Sequence, residues 1–114
     1  MSLGKGGLAA AVLLAVTAGM TSAGMAADLA AGKKKAMQCT VCHGRDGIAV
    51  NPDAPNLAGE AASYIERQLK AFKTGERKQE IMSIVAQGLT DEDIANLAAW
   101  YSAMKISVQL PDVK

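Results

Sequence analysis

The chain has 114 residues, half of them apolar, which limits it to one domain and argues against an extended disordered polypeptide. Its 12 basic and 11 acidic side chains give a formal net charge of +1. A balance of this kind gives no sign of binding to nucleic acid or to an anionic membrane surface. We therefore expect neither as a partner.

The first 26 residues have the layout of a secretory signal. One lysine precedes a short apolar run, and small residues follow up to Ala27. A membrane anchor is the alternative, but it would need roughly 20 uninterrupted apolar residues. We expect residues 1–26 to be a cleaved signal peptide, with the cut after Ala26 or Ala27, and 27–114 to be the mature domain. This predicts a periplasmic protein with no stable membrane insertion after cleavage.

Capping residues and periodicity predict helices along most of the mature chain. The first helix is capped by Asp28 and leads to Met37. Residues 44–59, rich in glycine and proline, read as an Ω-like loop. Three more helical segments follow, and an irregular tail occupies residues 105–114. The three segments are 60–74 ending at Gly75, 81–87 closed by Gly88, and Thr90 to about Met104.

Two of these segments carry more detailed expectations. The helix over 60–74 is amphipathic, with Tyr64 on the same face as Ile65 and Phe72. In so small a chain the core and a cofactor pocket nearly coincide, so Tyr64 is a candidate for either. The last helix begins with a capping box formed by Thr90 and Asp93. It is expected to bury Ile94, Leu97, Trp100 or Tyr101, and Met104.

A CxxCH motif, Cys39-Thr40-Val41-Cys42-His43, follows the first predicted helix. This motif attaches c-type haem covalently, because its two thiols can add to the two vinyl groups of one porphyrin while the adjacent histidine reaches the iron. A redox dithiol would be expected near a βαβ pattern, which the sequence lacks, and tetrahedral zinc would need a fourth ligand. We therefore predict one haem c, bound at Cys39 and Cys42, with His43 as a ligand of its iron.

The second axial position of the iron decides between electron transfer and small-molecule binding. Methionine, lysine, water or no ligand are the options, because the chain has no second histidine. Of the three methionines after the signal, Met37 lies two residues before Cys39 and Met104 on the core face of the last helix. Met82 lies where the chain can return on the other side of the ring, and we predict it as the second ligand. A His/Met pair leaves no room for substrate, so the chemistry reduces to Fe(III)/Fe(II) exchange.

Pro55, in the loop after the motif, has two interpretations. It is either a rigid turn residue or the residue whose backbone carbonyl accepts the ring N–H of His43 and fixes its tautomer. The second interpretation makes Pro55 part of the cofactor site.

Residues 28 to 104 resemble the small monohaem class I c-type cytochromes. The segments that carry the resemblance are CTVCHG, NPDAPNLAG, YIERQLKAFKTGER and IMSIVAQGLTDEDIANLAAWYSAM. The resemblance implies an all-α class I cytochrome c fold, with three to five helices wrapped around one covalent haem. It also implies axial ligation by His43 and Met82, orientation of His43 by Pro55, and packing of Gly32 against the region of Trp100.

Within this class the sequence is similar to two kinds of protein. The ending LTDEDIANLAAWYS is similar to bacterial shuttle cytochromes that feed terminal oxidases, and AFKTGERKQEIMSIVAQG is similar to the cytochrome subunit of flavocytochrome c sulfide dehydrogenase. We expect a periplasmic one-electron carrier that is not itself an enzyme, with an oxidase, a reductase or a flavoprotein as redox partner. The electron-accepting subunit of a flavocytochrome is the alternative, and a gas-binding or peroxidatic haem is a third hypothesis.

Overall fold

A computed structural model describes residues 1–4, 6 and 26–114. Five helices occur in these residues: α1 (Leu29–Ala36), α2 (Thr40–His43), α3 (Ala62–Thr74), α4 (Glu80–Gln87) and α5 (Asp91–Ser102). The described residues contain no strand, which confirms the all-α prediction. Within the same residues, no helix has the length and apolar character needed to cross a membrane. Most of the predicted signal peptide, residues 5 and 7–25, lies outside the described part of the chain.

The first and the last helix, α1 and α5, cross in close contact. Gly32 is buried at the crossing, and a Cβ atom added to it would lie 2.1 Å from the backbone oxygen of Asn96 and 2.9 Å from Cβ of Trp100. Only glycine allows the two backbones to approach this closely. The expected packing of Gly32 against the region of Trp100 is therefore confirmed.

Polar contacts hold the same two helices in register. The buried Asn96 side chain accepts a hydrogen bond from the backbone N–H of Asp28 at 2.7 Å. Lys35 on α1 pairs with Asp93 on α5 at 3.0 Å between Nζ and Oδ2. These bonds tie the start of α1 and its last turn to separate points along α5.

A small apolar core lies between α1, α3 and α5. Its members are Ala36, Ile65, Leu89, Ile94, Leu97, Ala98 and Tyr101. Tyr101, 2% exposed, is the fully buried aromatic residue of α5, while Trp100 and Met104 are half-buried against the cluster. Tyr64 is 42% exposed because it lies in the first turn of α3, at the edge of the face that buries Ile65. Tyr64 therefore lies outside the buried core, and its contact with the cofactor stays a prediction.

The predicted helix ends are largely present. The Asp28 carboxylate accepts from two N–H groups of the first turn of α1, at 2.8 and 3.2 Å. Thr90 and Asp93 form a capping box with both hydrogen bonds at 3.0 Å. Gly75 ends α3 with φ of +81°, the left-handed conformation expected of a C-terminal glycine. The start of α3 is two residues later than predicted, since Glu60 lies before the helix.

Candidate haem-attachment site

The CxxCH segment forms a single helical turn. Cys39 is the N-cap residue of α2, and Cys42 and His43 lie within the turn. The backbone N–H of His43 donates a hydrogen bond to the Cys39 carbonyl at 2.9 Å. Both thiols are half-buried and free, with no disulfide between them. One turn therefore presents two thiols and an imidazole from adjacent positions.

The ring of His43 is held by the protein through one of its two nitrogens. His43 is 7% exposed, and its Nδ1 lies 2.8 Å from the backbone oxygen of Pro55. In a neutral imidazole that donates from Nδ1, the lone pair is on Nε2, the nitrogen then available to a metal. The geometry expected between His43 and Pro55 is present.

The loop over residues 44–59 brings Pro55 to the histidine. Two backbone N–H groups after Pro55 donate to the Gly47 carbonyl at 2.7 and 3.0 Å, and two earlier in the loop donate to the Cys42 carbonyl at 3.0 and 3.2 Å. The Asn56 side chain accepts from the N–H of Ala49 at 2.7 Å. Gly47 adopts φ of +74°, which L side chains rarely adopt. The loop therefore folds on itself, as predicted.

Two residues that sequence reasoning did not select lie beside the cysteines. The Asn51 side-chain nitrogen lies 3.9 Å from Sγ of Cys42. The Tyr101 hydroxyl is buried in the core cluster, against which Cys39 packs, and has no hydrogen-bond partner among the described residues. Asn51 carries only the general signal of a turn residue, and Tyr101 was one of two alternatives for a core position.

The environment of Cys39 changes its acidity. Burial raises the pKa of the Cys39 thiol, and the Tyr101 hydroxyl and the Lys35 ammonium lower it by smaller amounts. Burial also raises the pKa of Tyr101, with a further contribution from the nearby Cys39. Cys39 also packs against the core cluster that contains Tyr101, and the Tyr101 hydroxyl forms no hydrogen bond within the described residues.

Met82 and Tyr64 lie on two other helices. Met82 is half-buried in the first turn of α4, where its backbone N–H donates to the Gln79 side chain at 2.7 Å. Tyr64 lies in the first turn of α3, and α3 packs against α4. The structure thus gathers the cysteines, His43 and Pro55 into one connected cluster and places Met82 and Tyr64 on a separate helix pair.

The residues present fit a covalently bound haem. The two free thiols and the imidazole have the donor set of a c-type haem, with Nε2 free for iron. Large apolar side chains are also exposed in the motif, in the loop that follows it and on α4. These are Val41, Ile48, Val50, Ile81 and Ile84. A flat apolar ring system is the kind of group that such side chains would cover.

An all-helical fold with a CxxCH turn and a histidine fixed through Nδ1 defines a c-type haem protein. Comparison with known proteins agrees, because residues 29–105 match the family Cytochrome c. The chain belongs to the cytochrome c family, and with it has a covalently bound haem c, iron as its metal and a role in electron transport.

Individual relatives show how much of each protein is shared. Cytochrome c-554(548) of Halomonas halodenitrificans is 47% identical over 83 residues, which cover 70% of this chain and 100% of that protein. The crystal structure of reduced recombinant cytochrome c4 from Pseudomonas stutzeri has a TM-score of 0.68 and 35% identity, covering 76% of this chain and 50% of that one. This chain therefore spans about half the length of the cytochromes c4 it matches.

Another relative is named as the electron acceptor of an enzyme. The thiosulfate dehydrogenase electron acceptor of Thiomonas intermedia is 38% identical over 72 residues, which cover 60% of this chain and 33% of that protein.

Proposed function

We propose that this chain is a periplasmic one-electron carrier whose haem iron is bound by His43 and Met82. The observation that carries the proposal is the contact between Nδ1 of His43 and the Pro55 carbonyl, next to two free thiols. When bound, haem c supplies reversible Fe(III)/Fe(II) exchange. The polypeptide holds and tunes the group and is not itself an enzyme.

Each residue of the cluster has a defined part in this proposal. Cys39 and Cys42 form the thioether bonds, and His43 offers Nε2 to the iron. The Pro55 carbonyl fixes the His43 tautomer and makes the imidazole a stronger donor, which favours the oxidised state. The Met82 thioether has the opposite effect and raises the potential. Two permanent ligands need little rearrangement between the oxidation states, which suits fast electron transfer.

The positions of the other methionines support Met82 as the second ligand. Met37 is 60% exposed immediately before the motif. Met104 packs against the core cluster, and its sulfur lies 3.0 Å from where a Cβ on Gly47 would be. Met82 is half-buried, and its first-turn position is fixed by the Gln79 cap. Among the methionines of residues 27–114, it alone is neither packed into the core nor attached to the motif.

Replacement of Met82 tests the ligand assignment. We expect Met82→Ala to abolish the far-red absorption band that methionine-ligated Fe(III) haem shows in the native protein. Met37→Leu, the matched control, should retain the band. A native protein without the band, or a Met82→Ala variant that keeps it, would overturn the assignment.

The same variants separate electron transfer from gas binding. The reduced native protein should bind carbon monoxide slowly at neutral pH because Met82 occupies the iron, whereas reduced Met82→Ala should bind it rapidly. Rapid binding by the native protein would instead support the third hypothesis, a gas-binding or peroxidatic haem.

The alternative function is an electron-accepting subunit. Similarity to a protein named as the electron acceptor of thiosulfate dehydrogenase favours a donor from sulfur oxidation. The flavocytochrome form of this hypothesis is not favoured over the free carrier. Purification of the haem-loaded protein from its own periplasm distinguishes the free carrier from the flavocytochrome subunit. A free carrier is isolated as a monomer, whereas a subunit is isolated together with its flavoprotein.

Export is part of the proposal and has its own test. Mass spectrometry of the periplasmic protein should give a chain that begins at Ala27 or Asp28 and carries one haem. A chain recovered in the cytoplasm with residues 1–26 intact would contradict both the signal peptide and the location.

A further inference from the structure

Tyr101 contains a buried hydroxyl that the described residues leave without a partner. The side chain is 2% exposed, lies in the last turns of α5, and belongs to the apolar core. Burying a hydroxyl without a hydrogen bond is unfavourable, and native proteins rarely do so. We therefore expect a hydrogen-bond acceptor close to this hydroxyl.

Cys39 is the polar neighbour of this hydroxyl. It packs against the core cluster that contains Tyr101, and each of the two side chains affects the acidity of the other. Lys35 is the remaining charged group that acts on Cys39, but it is paired with Asp93. A lysine ammonium is a donor only, so it cannot accept from the phenol.

Haem attachment changes the hydrogen-bonding character of Cys39. The S–H bond adds across a vinyl group, so that sulfur bonds to one vinyl carbon and hydrogen to the other. A free thiol can donate or accept, but the resulting thioether sulfur can only accept. A phenol next to it then has one available role, as donor.

We propose that the Tyr101 hydroxyl donates a hydrogen bond to the Cys39 sulfur in the haem-bound protein and so acts as a positioning residue for that thioether. The inference rests on the proposed covalent attachment at Cys39. The two thioethers then differ in their protein partners. The Cys39 sulfur receives a phenol from the core, and the Cys42 sulfur has the Asn51 amide at a long 3.9 Å.

The test compares Tyr101→Phe in three haem-loaded backgrounds: the native protein, Cys39→Ala and Cys42→Ala. A neutral hydrogen bond is worth about fivefold in the folding equilibrium. We expect Tyr101→Phe to lower the folding equilibrium constant by about that factor in the native and Cys42→Ala backgrounds. In Cys39→Ala the same change should have roughly no effect or stabilise, because an unpaired hydroxyl is removed.

A spectroscopic measurement complements the stability cycle and does not depend on Cys39→Ala folding. In proton NMR of the reduced protein, Tyr101→Phe should shift the resonances of the thioether methyl group attached through Cys39 more than those attached through Cys42. The reduction potential should also fall, because the hydrogen bond withdraws electron density from the haem periphery and favours Fe(II).

The possible results separate this inference from the proposed function. An equal effect of Tyr101→Phe in all backgrounds, or no selective shift at the Cys39 thioether, would overturn the inference while leaving the electron carrier intact. A native protein whose haem is not held by two thioethers, judged from the pyridine haemochrome spectrum, would overturn the attachment on which both rest.

Discussion

His43 contacts the protein through one of its ring nitrogens, and in the proposed function the other nitrogen binds the iron. Nδ1 meets the Pro55 carbonyl at 2.8 Å, and Nε2 remains for iron. Because that carbonyl belongs to a loop that is itself bonded to Gly47 and Cys42, the direction of the imidazole is set by many backbone hydrogen bonds. The strength of the axial ligand therefore depends on the loop as a unit.

Asp93 shows a residue-scale effect that depends on pH. The hydrogen bond from the Thr90 backbone, with the Lys35 ammonium adding to it, holds the pKa of this carboxyl below its ordinary value. A group whose pKa is lowered in the folded state stabilises that state above its unfolded pKa, and the contribution is lost as the pH falls through the folded pKa.

We therefore expect Asp93→Asn to lower the free energy of unfolding by roughly 1 kcal/mol at pH 7, the sum of a helix-end charge and an exposed ion pair. The difference from the native protein should shrink as the pH falls below 4, when the native carboxyl also becomes neutral. Asp91→Asn, which removes a charge from the same turn but not the capping box, should cost less. Denaturant unfolding at several pH values measures the loss of unfolding free energy in Asp93→Asn. A loss that stays the same at low pH would contradict an electrostatic origin of the effect.

Residue-scale prediction from sequence succeeds where the chemistry is local. The cysteines and His43 are adjacent, so their spacing alone indicates what they bind. Thr90 and Asp93 are three residues apart and form the predicted box. Tyr101 could not be distinguished from Trp100 as the buried residue, because the two differ by one position on the same helix and their environment is set by α1 and Cys39.

At the scale of elements, the crossing of α1 and α5 is the tightest contact. A methyl group on Gly32 would meet backbone atoms of Asn96 that cannot rotate away. The helices would have to separate, which would also strain the bonds from Asp28 to Asn96 and from Lys35 to Asp93.

We expect Gly32→Ala to destabilise the folded protein by about 3 kcal/mol, the upper end of the usual range for overpacking. Gly88→Ala is the matched control, because Gly88 has a negative φ and an added Cβ would lie 3.6 Å from its nearest neighbour. The free energy of unfolding of Gly88→Ala should equal that of the native protein or be slightly higher. Equal thermal stability of the two variants would show that the crossing tolerates a side chain.

The ends of the elements were predicted where a common capping residue was present. Asp28, Gly75 and Thr90 each belong to residue types strongly favoured at their positions. The start of α4 was predicted one residue late, at Ile81 instead of Glu80, because Gln79 supplies the cap and glutamine carries no such preference. Its effect depends on the backbone around it, which the sequence pattern does not show.

At the scale of the whole molecule, the core of residues 26–114 is small. Seven residues form the buried cluster, and several large apolar side chains of the motif, of the loop after it and of α4 are exposed. Domains of this size bury a low fraction of their surface and often depend on a bound group for stability. The sequence did not indicate which apolar side chains would face outward.

Removal of both attachment points tests that dependence. The Cys39→Ala/Cys42→Ala double variant, isolated without haem, should lose its cooperative thermal transition in far-ultraviolet circular dichroism, because the remaining core is too small to offset the ordering of the chain. Cys42→Ala, which keeps one thioether, should still melt cooperatively at a lower temperature. A haem-free double variant that melts as the native protein does would show that the polypeptide folds unaided.

The bond from Asp28 to Asn96 joins residues 68 positions apart, and this has a consequence for the order of events in an exported chain. In the export proposed above, α1 would reach the periplasm first, and its packing partner α5 would be the last helix to follow. Cys39 packs against a cluster to which α5 contributes Ile94, Leu97, Ala98 and Tyr101, so the surroundings of this thiol are complete only when the last helix has packed. In the proposed function, haem attachment at Cys39 would therefore meet a more open site before α5 packs than after it.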